Sequence, residues 1–359
     1  MSKHVKPIAI PGDAGKHPGS NLEWWYCYAF LEGAGGRRYA LMIAFFRVGE
    51  LPVPKGHYLI YSLIRLDRPA HVSRSCLDRS LYAQLTGLYL PMYFALKPGD
   101  SHAWGQYGKL VQGKLPSPHG WLRSASVRKR PTRLRYDRAE LAFADDARQE
   151  FALRIDDPEE GLVELRFTPA KRATIVDDEA TLNGLYYYSS TRNRVTGAIR
   201  GSGDVEAVSG EGWFDHQWGR SYGLLKGEGW NWLGLQLDDG RELIVSEMHR
   251  PNGPGSPKAI LIAHDRASST VNVKLRPLRR WRSFRTGLTY PVEWAVAAPG
   301  LGLELHVAAV LDNQEMPIIG PLQAIWEGVC RVSGFDYGAR SRVSGRGFVE
   351  LAGYAAAKR

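Results

Sequence analysis

The sequence predicts an all-β chain of sandwich or barrel type, and three observations carry that reading. Apolar and aromatic residues recur in short runs, as in LEWWYCYAFL at 22–31 and YALMIAFFRV at 39–48, the composition of half-buried strands. Gly, Asp and Asn break these runs at short intervals, as closely spaced strands require. No long stretch carries the three-and-four spacing of an amphipathic helix.

Taken in order, the first run ends at Glu32-Gly-Ala-Gly-Gly36. Glycines there supply the positive φ of a tight turn, so 22–31 and 39–48 should pair as a hairpin. Strands are expected next at 58–66, 162–168, 185–190 and 211–218. WNWLGLQL at 230–237, then Asp238-Asp239-Gly240, then 241–249, repeats the hairpin plan with a clearer Asp-Gly turn. Two Trp-headed hairpins so far apart suggest a duplicated unit. Further strands are expected at 259–263, 303–309 and 347–351. Residues 91–119 and 250–257 read as irregular, and the first is long enough for a loop covering a site.

A chain of 359 residues exceeds what one core supports, about 250–300 residues. Two domains follow, 1–183 and 184–359, divided after the polar stretch 171–183. A hydrophobic share of 44% against 23% charged residues excludes disorder as the dominant state. The apolar runs, such as 40–46, fall far below the ~20 residues of a spanning helix. The opening MSKHVKPIAIPGDAG has no apolar leader pattern, and Cys27, Cys76 and Cys330 are scattered; both fit a cytoplasmic protein. The net charge is +10, with basic clusters at 123–138 and 274–285. These read either as solvated strand faces or as a peripheral contact with an anionic membrane. No nucleic-acid-binding signature accompanies them, so no nucleic-acid partner is expected.

Two blocks concentrate chemistry. The first holds Asp13, His17, Pro18, Glu23, Trp24, Trp25 and Tyr26. Alternation puts Glu23, Trp25 and Cys27 on one face and Trp24, Tyr26 and Tyr28 on the other. Glu23 beside Trp in a closed barrel would be desolvated and held as a general acid; the plainer reading pairs it with an arginine at the rim. The second block is Gly210-Glu-Gly-Trp-Phe-Asp-His-Gln-Trp-Gly219. Adjacent Asp215 and His216 face opposite sides of a strand and converge only at a bulge, which Gly210, Gly212 and Gly219 would permit. The plainer reading here is an Asp-His pair bracing a strand end. A metal site from His17, His216, Asp13 and Glu23 lacks any close-spaced ligand pair, so no metal is expected. Nucleophile-elbow, phosphate-loop and dinucleotide motifs are absent from the sequence, and no cofactor is expected.

Asp13-x3-His17-Pro18, Glu23-Trp24-Trp25-Tyr26 and Phe45-Phe46-Arg47 resemble the opening of the carotenoid 1,2-hydratase-like superfamily, which includes lipocalin-like proteins labelled secreted hydrolases. Its central blocks resemble Tyr186-Tyr187-Tyr188-Ser189, Gly212-Trp213-x-Asp215-His216-x-Trp218 and Trp230-x-Trp232 with Leu237-Asp238-Asp239-Gly240. Thr289-Tyr290-Pro291, Trp326-Glu327-Gly328 and the segment from Gly345 to Tyr354 look like its C-terminal signature. The resemblance covers nearly the whole chain, in order. It implies two lipocalin-like antiparallel β-barrel domains packed side by side. Related enzymes include carotenoid hydratases and kievitone hydratase, which add water to isoprenoid double bonds, and Diels–Alderases that fold polyenes. The Asp215-His216-Gln217-Trp218 block departs from the carotenoid hydratases and looks more like the hydrolase-labelled branch.

The resulting expectation is a cofactor-independent tailoring enzyme acting on an alkene of an apolar polyene, isoprenoid or polyketide metabolite, by acid-catalysed hydration or cyclisation. Asp215 or Glu23 would protonate the double bond, and His216 would orient water or take the final proton. Trp25, Trp218, Trp230 and Trp232 would wall the pocket and stabilise the cation, with Tyr26 and Tyr187 as polar contacts at its mouth. The alternatives are a pericyclase, which supplies orientation rather than protons, and a lipid or pigment carrier without chemistry.

Overall fold

In the computed structural model, residues 7–68, 70–181, 184–201, 204–250, 252–263, 266–267 and 270–354 are described. The chain divides into two units, one of Met1–Leu88 with Ser117–Ser221, the other of Tyr89–Pro116 with Tyr222–Arg359.

The first unit is one curled sheet. Its strands are β1 (Leu22–Gly33), β2 (Arg38–Val48), β3 (Gly56–Arg65), β4 (Ala70–Leu77), β5 (Gly120–Trp121), β6 (Ala125–Lys129) and β7 (Thr132–Tyr136). They continue as β8 (Ala139–Asp145), β9 (Glu150–Asp157), β10 (Gly161–Pro169), β11 (Thr174–Asp177), β12 (Leu185–Arg200) and β13 (Val205–Gly219). The order is β5-β4-β3-β2-β1-β13-β12-β10-β9-β8-β7-β6, with β11 beside β12. All pairings are antiparallel except β4 with β5. The curl lets inward residues from distant strands share one core: Trp25, Cys27, Phe45 and Leu59 meet Tyr136, Leu153, Phe167, Phe214 and Trp218. A packed interior of this kind is what an eight-strand-sized barrel holds.

The second unit repeats the plan with β14 (Gly229–Leu237), β15 (Arg241–Arg250), β16 (Gly253–Pro254), β17 (Lys258–Ala263), β18 (Arg266–Ala267), β19 (Val271–Asn272) and β20 (Lys274–Arg282). Then follow β21 (Thr289–Ala298), β22 (Leu303–Ala309), β23 (Glu315–Pro317), β24 (Ala324–Asp336) and β25 (Ser341–Ala352). Each sheet sets its first strand between its hairpin partner and its last strand: β1 between β2 and β13, β14 between β15 and β25. The shared topology supports the duplicated unit, and both expected hairpins form, with positive φ at Gly36 and Gly240. The fold is two lipocalin-like β domains.

Two expectations change. The division falls at Tyr222, not near 184, because β12 and β13 sit in the middle of the first sheet, between β10 and β1. The stretch 91–119 is not irregular. It contains most of α2 (Leu90–Leu96) and all of α3 (Ser101–Val111), after α1 (Arg79–Gln84). Asp78 and Asp100 cap α1 and α3 by accepting from the Leu81 and Ala103 amides, and Gln106 ties α3 to the second unit through Ile318 and Gly320. A π-helical turn at Leu85–Tyr89 shifts the period between α1 and α2, and the buried set of α3, Ala103, Gln106 and Leu110, has a polar residue at its centre, so little of an apolar helical stripe shows in the sequence.

The basic clusters lie on strand faces. In β6 and β7, Val127, Leu134 and Tyr136 turn inward while Arg128, Lys129, Arg133 and Arg135 are exposed. In the other cluster, Arg279 pairs with Asp312 and Glu293.

Candidate functional site

The two chemical blocks are neighbours in one sheet. β1 and β13 pair in continuous register, with Glu23 opposite Trp218, Trp25 opposite His216 and Tyr26 opposite Asp215. Since side chains opposite one another share a face, the sheet sorts the candidates into two sets. Glu23, Trp25, His216 and Trp218 turn inward; Tyr26, Tyr187 and Asp215 turn outward. The bulge that would let Asp215 and His216 converge does not form. Gly212 serves packing instead: a Cβ there would lie 2.5 Å from Phe167 and 2.8 Å from the Tyr28 carbonyl oxygen.

On the inner face, Glu23 is fully buried and saturated with donors. Its Oε1 is 2.9 Å from His17 Nδ1 and 3.2 Å from His216 Nε2. The His17 amide donates to both its oxygens, and Arg47 donates to Oε2 at 3.2 Å. Burial pushes the Glu23 pKa up, but the hydrogen bonds from the two histidines outweigh it and hold the group below its usual value. Glu23 is therefore an ionised anchor at neutral pH, closer to the arginine-paired reading than to a general acid. Burial drives His216 down to about 4, against the opposing pull of Glu23, so the ring is neutral. Trp25 stacks on it at 4.6 Å, and Trp218 stacks on His17 at 4.1 Å. The segment carrying His17 is anchored to the barrel by Trp25 Nε1 on the Ala14 carbonyl. Spacing along the chain conceals this cluster, in which donor atoms of His17, Glu23 and His216 lie within 4.8 Å of one another.

On the outer face, Asp215 has the opposite environment. It is 3% exposed, and no cation is among its partners in the described contacts. Oδ1 accepts from Ser189 and from Trp213 Nε1 at 2.7 Å, and Oδ2 accepts from Tyr187 at 2.9 Å. Burial pushes the Asp215 pKa up to about 7, and these neutral donors only partly restrain it. Tyr28 stacks on Trp213 at 5.7 Å, with Tyr26 edge-on to Tyr28. An acid held near neutrality among aromatic rings can deliver a proton and face a cation.

The expected pocket wall is thus redistributed. Trp25 and Trp218 belong to the inner cluster. Trp230 and Trp232 belong to the second unit, where Trp230 donates to Glu350 and Trp232 lies over Gly234. Among the described contacts, aromatic residues near Asp215 include Tyr26, Tyr28, Tyr187 and Trp213. Alternation in the sequence already puts Trp213 on the face of Asp215, and the structure joins the two by a hydrogen bond; Ser189 and Tyr28 carry no sequence signal that connects them to it.

Comparison with known proteins agrees with the superfamily that the motifs resemble. A putative AttH from Nitrosomonas europaea superposes with a TM-score of 0.73 at 22% identity, covering 99% of each chain. Kievitone hydratase from Nectria haematococca superposes at 0.69 and 14% identity, over 99% of this chain and 95% of that one. No curated protein sequence matches the chain. The model of the AttH-like family matches residues 117–354, more than half of the sequence, and the chain belongs to that family.

Proposed function

We propose that this protein is a hydratase of the acid-catalysed type, acting on an alkene of an apolar isoprenoid or polyene substrate. The observation that carries the reading is Asp215, buried among neutral donors with its pKa raised to about 7, a carboxylic acid available at physiological pH. The fold shared with kievitone hydratase supports the same reaction class.

In the proposed step, protonated Asp215 passes its Oδ2 proton to the Tyr187 oxygen while the Tyr187 hydroxyl proton moves to one alkene carbon. The π bond supplies the electron pair for the new C–H bond, and the other carbon becomes a tertiary cation. The faces of Tyr26, Tyr28 and Trp213 stabilise that cation, each by about 1–2 kcal/mol when desolvated. Water adds to it, and the proton released returns through Tyr187 to the Asp215 carboxylate, which Ser189 and Trp213 hold meanwhile. Alkene and water give the alcohol, with the acid regenerated. His216 has no part in this step, because its ring faces the other side of the sheet.

The test is turnover of a panel of prenylated and polyene substrates, kievitone included, in D2O by wild type and by Asp215→Asn. Wild type should place deuterium on carbon, and the variant should lose about 10²–10⁴-fold in rate. Turnover without carbon-bound deuterium would favour a pericyclic closure, and recovery of unchanged ligand throughout would favour a carrier.

A further inference from the structure

The inner cluster of the first unit carries an inference independent of Asp215. We infer that His17, Glu23 and His216 form a binding site for one divalent transition-metal ion of the zinc type, clamping the segment that precedes β1 to β1 and β13. Two imidazoles and one carboxylate are a common donor set for such ions. The separations from Glu23 Oε1, 2.9 Å to His17 Nδ1 and 3.2 Å to His216 Nε2, suit the edges of a tetrahedron about zinc, roughly 3.3 Å for bonds of 2.0–2.1 Å.

The hydrogen inventory points the same way. A neutral imidazole has one N–H and one lone pair. His17 meets a carboxylate at each nitrogen, Glu23 at Nδ1 and Asp13 Oδ1 at Nε2, 3.3 Å away. A neutral ring can donate to only one of the two carboxylates, and its other nitrogen then meets the second lone pair to lone pair; either a second proton on the ring, donated to both, or a metal ion between Nδ1 and Glu23 removes that clash. His216 poses the same problem in reverse. Nε2 faces Glu23, while fully buried Nδ1, beside the Asp13 backbone, makes no hydrogen bond of good geometry. A metal on Nδ1 of His17 and Nε2 of His216 would leave each ring its other N–H for Asp13, carboxylate in one case and backbone in the other. That is the outer-shell pattern of metal-bound histidines. Arg47 holds Oε2 from outside, while the His17 amide donates to Oε1 at 2.9 Å and to Oε2 at 3.2 Å, so Oε1 would bind the ion with that amide bond still on it.

Chelator-stripped full-length protein titrated calorimetrically with Zn2+ should bind one equivalent. Co2+ should give the visible bands of a four- or five-coordinate site and quench Trp emission, because Trp218 and Trp25 stack on the two ligand rings. His17→Gln should weaken Zn2+ binding at least ~100-fold and abolish the Co2+ bands, and Asp13→Asn should weaken it about 10-fold. His306→Gln, in the partly exposed pair with Glu293, should leave binding unchanged. Wild type without stoichiometric Zn2+ binding, or His17→Gln with wild-type affinity, would overturn the assignment. The Co2+ spectrum of wild type decides the matter even where a variant folds poorly.

Discussion

Two buried carboxylates, Glu23 and Asp215, lie on adjacent strands of one sheet and are driven in opposite directions by their surroundings. Both are desolvated, but Glu23 pairs with Arg47 and two histidines, whereas the partners of Asp215 among the described residues are a phenol, a hydroxyl and an indole. Catalytic rate should therefore fall as pH rises through about 7, where Asp215 ionises, and Asp215→Asn should lack this limb in its residual activity. Stability carries the same signature. The folded pKa lies above the ordinary 3.8, so the contribution of Asp215 is fully present below that value and lost as pH rises through about 7. Going from pH 8 to pH 5, the stability of wild type relative to Asp215→Asn should rise by about 2–3 kcal/mol, read from urea unfolding at both pH values. Comparing these two proteins cancels the contribution of every other titrating group. Tyr187→Phe should lower kcat more than it raises KM, since its hydroxyl acts in proton transfer rather than in holding the substrate.

At the level of strands, alternation was legible in the sequence and register was not. Faces for Glu23 with Trp25, Tyr26 with Tyr28 and Trp213 with Asp215 follow from a period of two, a local property of the chain. Pairing of β1 with β13 joins residues almost 200 positions apart, and nothing local encodes it. That pairing created the contact between Glu23 and His216 and separated His216 from Asp215. The glycines of the second block suggested a bend, but at Gly212 the missing Cβ makes room for Phe167 and the β1 backbone. Gly212→Val should destabilise the protein by about 1–3 kcal/mol through overpacking. Trp25→Ala, which empties a fully buried indole site, should cost about 3–5 kcal/mol in denaturant unfolding.

For the molecule as a whole, length required two cores and the Trp-headed hairpins revealed the duplication, yet the polar stretch after 171 misplaced the division. Composition marks where a chain is solvated, not which sheet its next strand joins. With β12 and β13 central to the first sheet, a chain ending at residue 183 should lack cooperative unfolding by circular dichroism, whereas the full chain unfolds with a transition for its β structure. The tryptophans followed the same division: a composition clue pointed to one pocket wall, and the fold distributes them between an inner cluster, an outer cluster and the second unit. The proposed chemistry then rests on one ionisation state in one sheet. Carbon-13 NMR titration of aspartate-labelled wild type, with Asp215→Asn assigning the signal, measures it directly. The account predicts a carboxyl that titrates near pH 7. An Asp215 resonance already ionised at pH 5 would contradict it.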